Sequence, residues 1–159
     1  MRVAAAARSF GMAQHATEQQ LAWEQACPEA ITSDVFWKLD AYRAAMFLLH
    51  VDRDDRPSMQ AARADPELIS QLVRAVGSIS ANLADGYSRW SRIDRLRFLG
   101  YALSSARECI PWYEALRDTL PDHVIEERMV LVARCRSLLL GLIRSLRKED
   151  GGGINAPER

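Results

Sequence analysis

Strand-forming runs are what this sequence has least of: β-branched residues are scattered, and Ala, Leu and Arg dominate a chain of 159 residues with only eight glycines and six prolines. That balance favours an all-α fold, and 48% apolar content is enough to bury the core of one domain. Excess charge of either sign is missing, because Lys plus Arg and Asp plus Glu both total 21. Bulk charge therefore argues for neither a nucleic-acid nor a membrane partner, and any such partner must be met by a local patch. No window approaches the roughly 18 continuous apolar residues of a membrane span. "MRVAAAARSFGMAQHA", Met1 to Ala16, faintly echoes a signal peptide but lacks the Leu-rich centre. Cysteine is scarce: Cys27, Cys109 and Cys135 are odd in number and far apart, which fits a reducing, cytoplasmic setting better than a disulfide framework.

Catalytic and metal-binding patterns are missing too. There is no Cys-x-x-Cys pair, no glycine-rich phosphate loop and no Glu-x-x-His element of the kind that di-iron bundles carry on facing helices. His15, His50 and His123 are dispersed, and His123 with Glu126 or Glu127 has the reversed order without a second copy. The expectation is a protein that is no enzyme, with no catalytic residues, no metal and no cofactor.

What is present is helical periodicity. Residues 1–33 form an Ala- and Gln-rich extension whose "ATEQQLAWEQA" can make one helix on Leu21, Trp23 and Ala26; it reads equally as an arm or as an added helix. Residues 34–148 carry four helical patterns. The first runs from a Ser33 or Asp34 cap to Val51, with Val35, Leu39, Tyr42, Met46 and Leu49 as its stripe, and "DRDDRPSM" is expected to end it. The second spans Pro66 to Asp85 on Leu68, Leu72, Val76, Ile79 and Leu83, with Asp65 as cap and Gly86 as a left-handed terminator. Ser91 and Asp94 resemble a capping box for the third, whose stripe is Leu96, Leu99, Leu103, Ala106, Ile110 and Tyr113; Pro111 should kink or shorten it. The fourth begins at Pro121 or Asp122 and ends near Lys148. "EDGGGINAPER", residues 149–159, reads as a disordered tail.

The fourth helix has more apolar surface than one seam needs. Besides Met129, Val132, Leu139, Ile143 and Leu146, it carries Leu131, Leu138 and Leu142. Those three are expected at an oligomer interface unless the N-terminal extension covers them. Basic residues cluster as well: Arg89, Arg92, Arg95, Arg97 and Arg107 stand against one acid, Asp94, and five further cations follow between Arg134 and Lys148. Such runs are a solvated helix face or a phosphate-binding surface, the latter with Tyr87 and Trp90 placed to stack on an unpaired base. Asn82 and Asp85 share a face one turn apart. Asp85 opposes the helix dipole and calls for a partner such as Arg89 or Arg92, while Glu108 either meets Asn82 or Ser78 inside or stays at the surface.

"QLVRAVGSISANLADGYSR", Gln71 to Arg89, resembles the signature of the four-helix-bundle family of proteins encoded in 23S ribosomal RNA intervening sequences. "RFLGYALSSARE", Arg97 to Glu108, and "LLLGLIRSLRK", Leu138 to Lys148, resemble its later segments, and "LDAYRAA", Leu39 to Ala45, is a weaker match. Ser80, Asp85, Ser88, Ser104 and Tyr42 depart from the family pattern of Pro, Glu, Gly, Gly and Trp. The resemblance implies an antiparallel up-and-down four-helix bundle assembling as a ring-like homopentamer, with relatives that include the accessory subunit of diversity-generating retroelements. It implies an adaptor that binds RNA or DNA, or a reverse transcriptase or other nucleic-acid enzyme, through a basic surface. Asn82, Asp85, Gly86, Tyr87, Arg89 and Glu108 occupy the family's recurrent polar positions. The competing expectation is a protein-only interaction module meeting its partner through Trp90, Trp112 and the N-terminal extension.

Overall fold

The computed structural model describes residues 14, 15 and 17–148, and all regular structure among them is helical. The tail at 149–159 and most of the apolar N-terminal run lie outside the described residues. Helix α1 covers 17–26 and a single turn, α2, covers Glu29–Thr32. Four long helices follow: α3 (Asp40–Ala61), α4 (Pro66–Tyr87), α5 (Arg92–Ala115) and α6 (Asp122–Lys148). Each packs on the next in chain order, and α6 returns to pack on α3, so the four enclose one core.

α3 departs from its expected bounds at both ends. Asp34 caps only a 3-10 turn, Val35–Lys38, by accepting from Phe36 N at 3.0 Å, and Leu39 is extended (φ −88°, ψ 115°), so the α-helix begins at Asp40. At the other end it passes through "DRDDRPSM" to Ala61 with Pro57 inside it. The buried positions explain why. Ala41, Ala45, Leu48, Asp52, Asp55 and Met59 recur at spacings of four, three, four, three and four, so two acids extend the inner stripe where apolar residues were expected. The true stripe is also rotated by one residue from Tyr42, Met46 and Leu49, which are half-buried, because alanines line the contact and let the neighbouring helices approach. Arg63, with φ 56°, then terminates the segment in left-handed geometry, and Ala64 N donates back to Met59 O at 3.0 Å.

Those buried acids are neutralised from two helices. Arg128 of α6 donates to Asp55 through Nε (2.7 Å) and an Nη (3.0 Å), a bidentate pair spanning 73 residues of sequence. Asp52, 0% exposed, accepts from Arg56 one turn on at 3.2 Å and from the buried Tyr113 hydroxyl of α5 at 3.4 Å. Burial pushes the Asp52 carboxyl above its ordinary range, against the opposing pull of Arg56. Desolvation alone would lower the Arg128 pKa, but the hydrogen bonds and charge of Asp55, with Tyr113 and Glu127, outweigh it. Nearby thiols are inert: burial raises Cys109 well above the normal thiol range and Cys135 to about 12.

α4 and α5 share the most extensive contact of the four long helices, and at Gly86 their backbones come close. This glycine lies inside α4 and no described glycine has positive φ, so it is not the left-handed terminator expected. A Cβ there would stand 3.0 Å from Phe98 Cβ and 3.4 Å from the Arg95 carbonyl; the glycine is required by proximity. Termination falls instead to Ser88, whose hydroxyl donates to Ala84 O at 2.9 Å. α5 runs past Pro111 to Ala115, and Pro111 is exposed.

α1 lies on α3 and α6. Trp23 packs against Trp37, Phe47 and His50 with ring centroids 5.6–5.7 Å apart, Glu24 pairs with Arg43 at 3.2 Å, and Arg134 donates to Thr17 at 3.1 Å. Its inner face is therefore Thr17, Gln20, Trp23 and Glu24, whereas Leu21 and Ala26, expected inside, are exposed.

Asp55→Asn should lose about 3 kcal/mol in urea unfolding because it strands a buried guanidinium, whereas Asp52→Asn should change stability by less than about 1.5 kcal/mol at pH 7. Since the folded pKa of Asp52 is raised, the native state takes up its proton first as pH falls toward 3.8, so this group adds stability on acidification. Asp52→Asn should remove that component of the slope, and an unchanged slope would contradict the assignment. Gly86→Ala should lower stability by about 1–2 kcal/mol, the overpacking exceeding the roughly 1 kcal/mol gained in helix propensity. A thermal melt at or above the parent value would show that α5 yields freely.

Candidate nucleic-acid interface

The α4–α5 corner is a four-residue turn, Ser88–Ser91, held from both sides. Arg89 N donates to Gly86 O at 3.2 Å, and Ser91 Oγ accepts from Asp94 N at 3.4 Å, the N-terminal half of the expected capping box. Between these anchors Trp90 is 99% exposed, and Ile93, the second residue of α5, is 79% exposed. Tyr87 is partly exposed and meets Phe36 edge-on at 5.7 Å. A tryptophan with almost no contact inside its own chain contributes nothing to the core and presents a full aromatic face at a protruding turn.

The arginines are arranged around one ring. The Arg89 guanidinium stacks over Phe98 at 4.6 Å from the centroid and that of Arg97 lies at 5.8 Å from the same ring, both within cation–π reach. Arg95 Nε donates to the Arg89 carbonyl at 2.7 Å, which ties the turn to α5 and fixes the plane of its guanidinium. Arg97 pairs with Asp94 at 2.8 Å, an exposed contact that partly offsets its charge. Arg92 is half-buried at the start of α5. Between Asp85 and Arg97 the chain thus carries four arginines and two aspartates. Asp85 is exposed, and Arg89, one of its two expected partners, faces Phe98 instead.

The second basic run reaches the same end of the molecule. Leu142 and Leu146 of α6 line a pocket together with Arg95, so Arg144, Arg147 and Lys148, all exposed in the last turns of α6, lie at the level of the α4–α5 corner. Arg147 and Lys148, in its last turn, also complement the helix dipole. Arg134, tied to Thr17 of α1, and the half-buried Arg136, two turns before Arg144, lie outside this cluster.

Other expected site residues separate. Asn82 donates to Ser78 O one turn back at 2.8 Å within α4, and Glu108 is exposed on α5, so the two make no inner polar layer. Leu131 is buried in the chain's own core at 2% exposure, which removes it from an intermolecular face. Leu138 and Leu142 are half-buried and line a groove of about 370 Å³ with Leu39, Ala41 and Gly141. Trp112 is half-buried against the core, which leaves Trp90 as the exposed tryptophan of the two. Among the described residues no group of three His, Cys, Asp or Glu side chains is placed to hold a metal ion, and no helix is long and apolar enough to cross a membrane. Asp52, Asp55 and Arg128, not singled out from the sequence, form a buried charged cluster closed off inside the bundle. Their signal was the continuation of the α3 stripe in acids.

Comparison with curated proteins and with solved structures returns no match. A family model described as 23S rRNA-intervening sequence protein matches residues 41–134. The matched region runs from the start of α3 into α6, includes the whole α4–α5 corner, and leaves α1 outside. Covering more than half of the chain, and joined to the motif between Gln71 and Arg89, this match places the chain in the 23S rRNA-intervening sequence protein family.

Proposed function

We propose that the protein is a non-enzymatic adaptor: an antiparallel up-and-down four-helix bundle whose copies assemble as a ring, five in number by family resemblance, and whose α4–α5 corner binds structured RNA or a nucleic-acid enzyme such as a reverse transcriptase. The observation that carries this reading is Trp90, 99% exposed on a turn fixed by its flanking serines, with Arg89 and Arg95 beside it. An exposed ring next to immobilised guanidinium groups matches what an unpaired base and its phosphates require. The stack of Arg89 on Phe98 restrains that cation, so less side-chain entropy is lost when it meets a phosphate. Assembly would repeat the corner around a ring and add avidity without new contacts.

A second reading is supported by Ile93. An aliphatic side chain 79% exposed beside Trp90 gives nothing to phosphate recognition and suits the centre of a protein–protein contact. The same corner would then serve a protein partner alone.

Binding of a labelled structured RNA across a salt series, with mass in solution measured on the same sample, separates these readings. The mass should be a multiple of 17.9 kDa, fivefold for a pentamer. Arg89→Ala with Arg95→Ala should reduce the slope of log K against log salt by about 1–2 per binding corner, one released counterion per lost phosphate contact. Trp90→Ala should weaken binding by roughly tenfold with the slope unchanged. An intact oligomer with no affinity for RNA would turn the assignment to the protein-partner reading, and a monomer at micromolar concentration would overturn the scaffold.

A further inference from the structure

All four long helices contribute to one apolar pocket at the basic end of the molecule. Leu39 at the N-cap of α3, Leu83, Gly86 and Tyr87 of α4, Leu99 of α5, and Leu142 and Leu146 of α6 surround about 110 Å³, and the single charged residue on its wall is Arg95. Leu83 and Leu99 form a buried floor, while Leu39, Leu142 and Leu146 are half-buried at the rim. An engineered apolar cavity of about 150 Å³ accepts benzene, so this space suits a branched group of about four or five carbons. Gly86 adds bare backbone to this wall, and its missing Cβ would point at Phe98 and the Arg95 carbonyl across the α4–α5 contact.

Arg95 sets the second requirement. Its Nε is committed to the Arg89 carbonyl at 2.7 Å, which fixes the guanidinium plane and leaves the Nη pair as the edge for a planar, two-oxygen anion. A carboxylate suits that edge, and because Arg95 is the one charged residue lining the pocket, an acid whose apolar tail enters there has its carboxylate within one arginine side-chain length of the guanidinium. We propose that this pocket is a binding site for a short branched carboxylate, with the apolar tail against Leu83, Leu99 and Leu146 and the carboxylate on Arg95. The chemistry is shared by two sources, a free branched-chain acid and the C-terminal carboxylate of a chain ending in leucine. The pocket shares Arg95 with the corner proposed to meet RNA, but its readout, the leucine methyl groups of the wall, is separate from RNA affinity.

The test uses the full chain with labelled leucine methyl groups, titrated with 4-methylpentanoate, with its amide, and with acetyl-Gly-Gly-Leu bearing a free carboxylate. Saturable shifts confined to Leu39, Leu83, Leu99, Leu142 and Leu146 are expected for the carboxylates, with the amide at least tenfold weaker. Arg95→Gln should weaken the carboxylates by at least tenfold, and Leu146→Phe, which fills the pocket from its rim while leaving every arginine in place, should abolish binding. Saturation by 4-methylpentanoate at the lower concentration assigns the free acid as the source, and saturation by the peptide at the lower concentration assigns a protein C-terminus. No shift with either carboxylate up to its solubility limit, equal binding of acid and amide, or binding indifferent to Arg95→Gln overturns the proposal.

Discussion

The bidentate pair between Arg128 and Asp55 is the contact on which the arrangement of the four long helices turns. It joins the last of them to the first and is buried on both sides, so neither partner can be satisfied by water if α6 slips by a turn. Apolar surfaces alone tolerate such slippage, because leucine against leucine is nearly as good one heptad away. A charged pair with two directed hydrogen bonds is not so tolerant. Asp52 and Tyr113 bring α5 into the same layer, which leaves α4 held by close packing across Gly86 and the alanines of its neighbours. Registration at the Asp55 level then determines what faces what at the far end of α3, about 24 Å away for the 16 residues between Asp55 and Leu39. There Leu39, Leu83, Leu99 and Leu146 meet around the pocket and Arg95 reaches its wall.

This division separates two uses of charge. Inside, two acids are balanced by Arg56 and Arg128, so the layer specifies register without carrying net charge. At the α4–α5 corner the arginines outnumber the acids, and three further cations close α6 at the same end. A chain with zero formal net charge can thus present a positive end because its charges are sorted in space rather than in number. That sorting is invisible to composition and follows from the helices running so that α6 ends where α5 begins.

Much of the fold could be read from apolar spacing. The starts of α4 and α6 and the α5 stripe from Leu99 to Tyr113 follow directly from period and caps, since Asp65, Pro66 and Ser91 do locally what their chemistry predicts. The errors share one cause, which is judging a residue by type where its tertiary partner decides. Asp52 and Asp55 look like solvent-facing breakers until Arg128 and Tyr113 stand opposite them. Gly86 looks like a terminator until Phe98 occupies the place of its Cβ, and Leu131 looks like an outward face until the chain's own core receives it. The inner face of α1 was misread in the same way, because Gln20 and Glu24 take the place expected of Leu21 and Ala26. The corner was legible as a cluster of residue types, Arg89, Trp90, Arg92 and Arg95 among them. Its geometry, two guanidinium groups about the Phe98 ring, needed the helix crossing.

The exposure of Trp90 and Ile93 sets a limit on purely structural readings of that corner. Burying side chains of this size is worth on the order of 2 kcal/mol each, and the adjoining pocket wall of leucines offers apolar surface within the same end of the molecule. The turn instead holds Trp90 outward, with Arg89 N bonded to Gly86 O on one side and Ser91 capping α5 on the other. A polar residue at position 90 would satisfy every one of those backbone bonds equally well and would spare the chain an exposed apolar patch. Folding therefore gives no reason for tryptophan at this position, and the proposed partner of the corner would supply one.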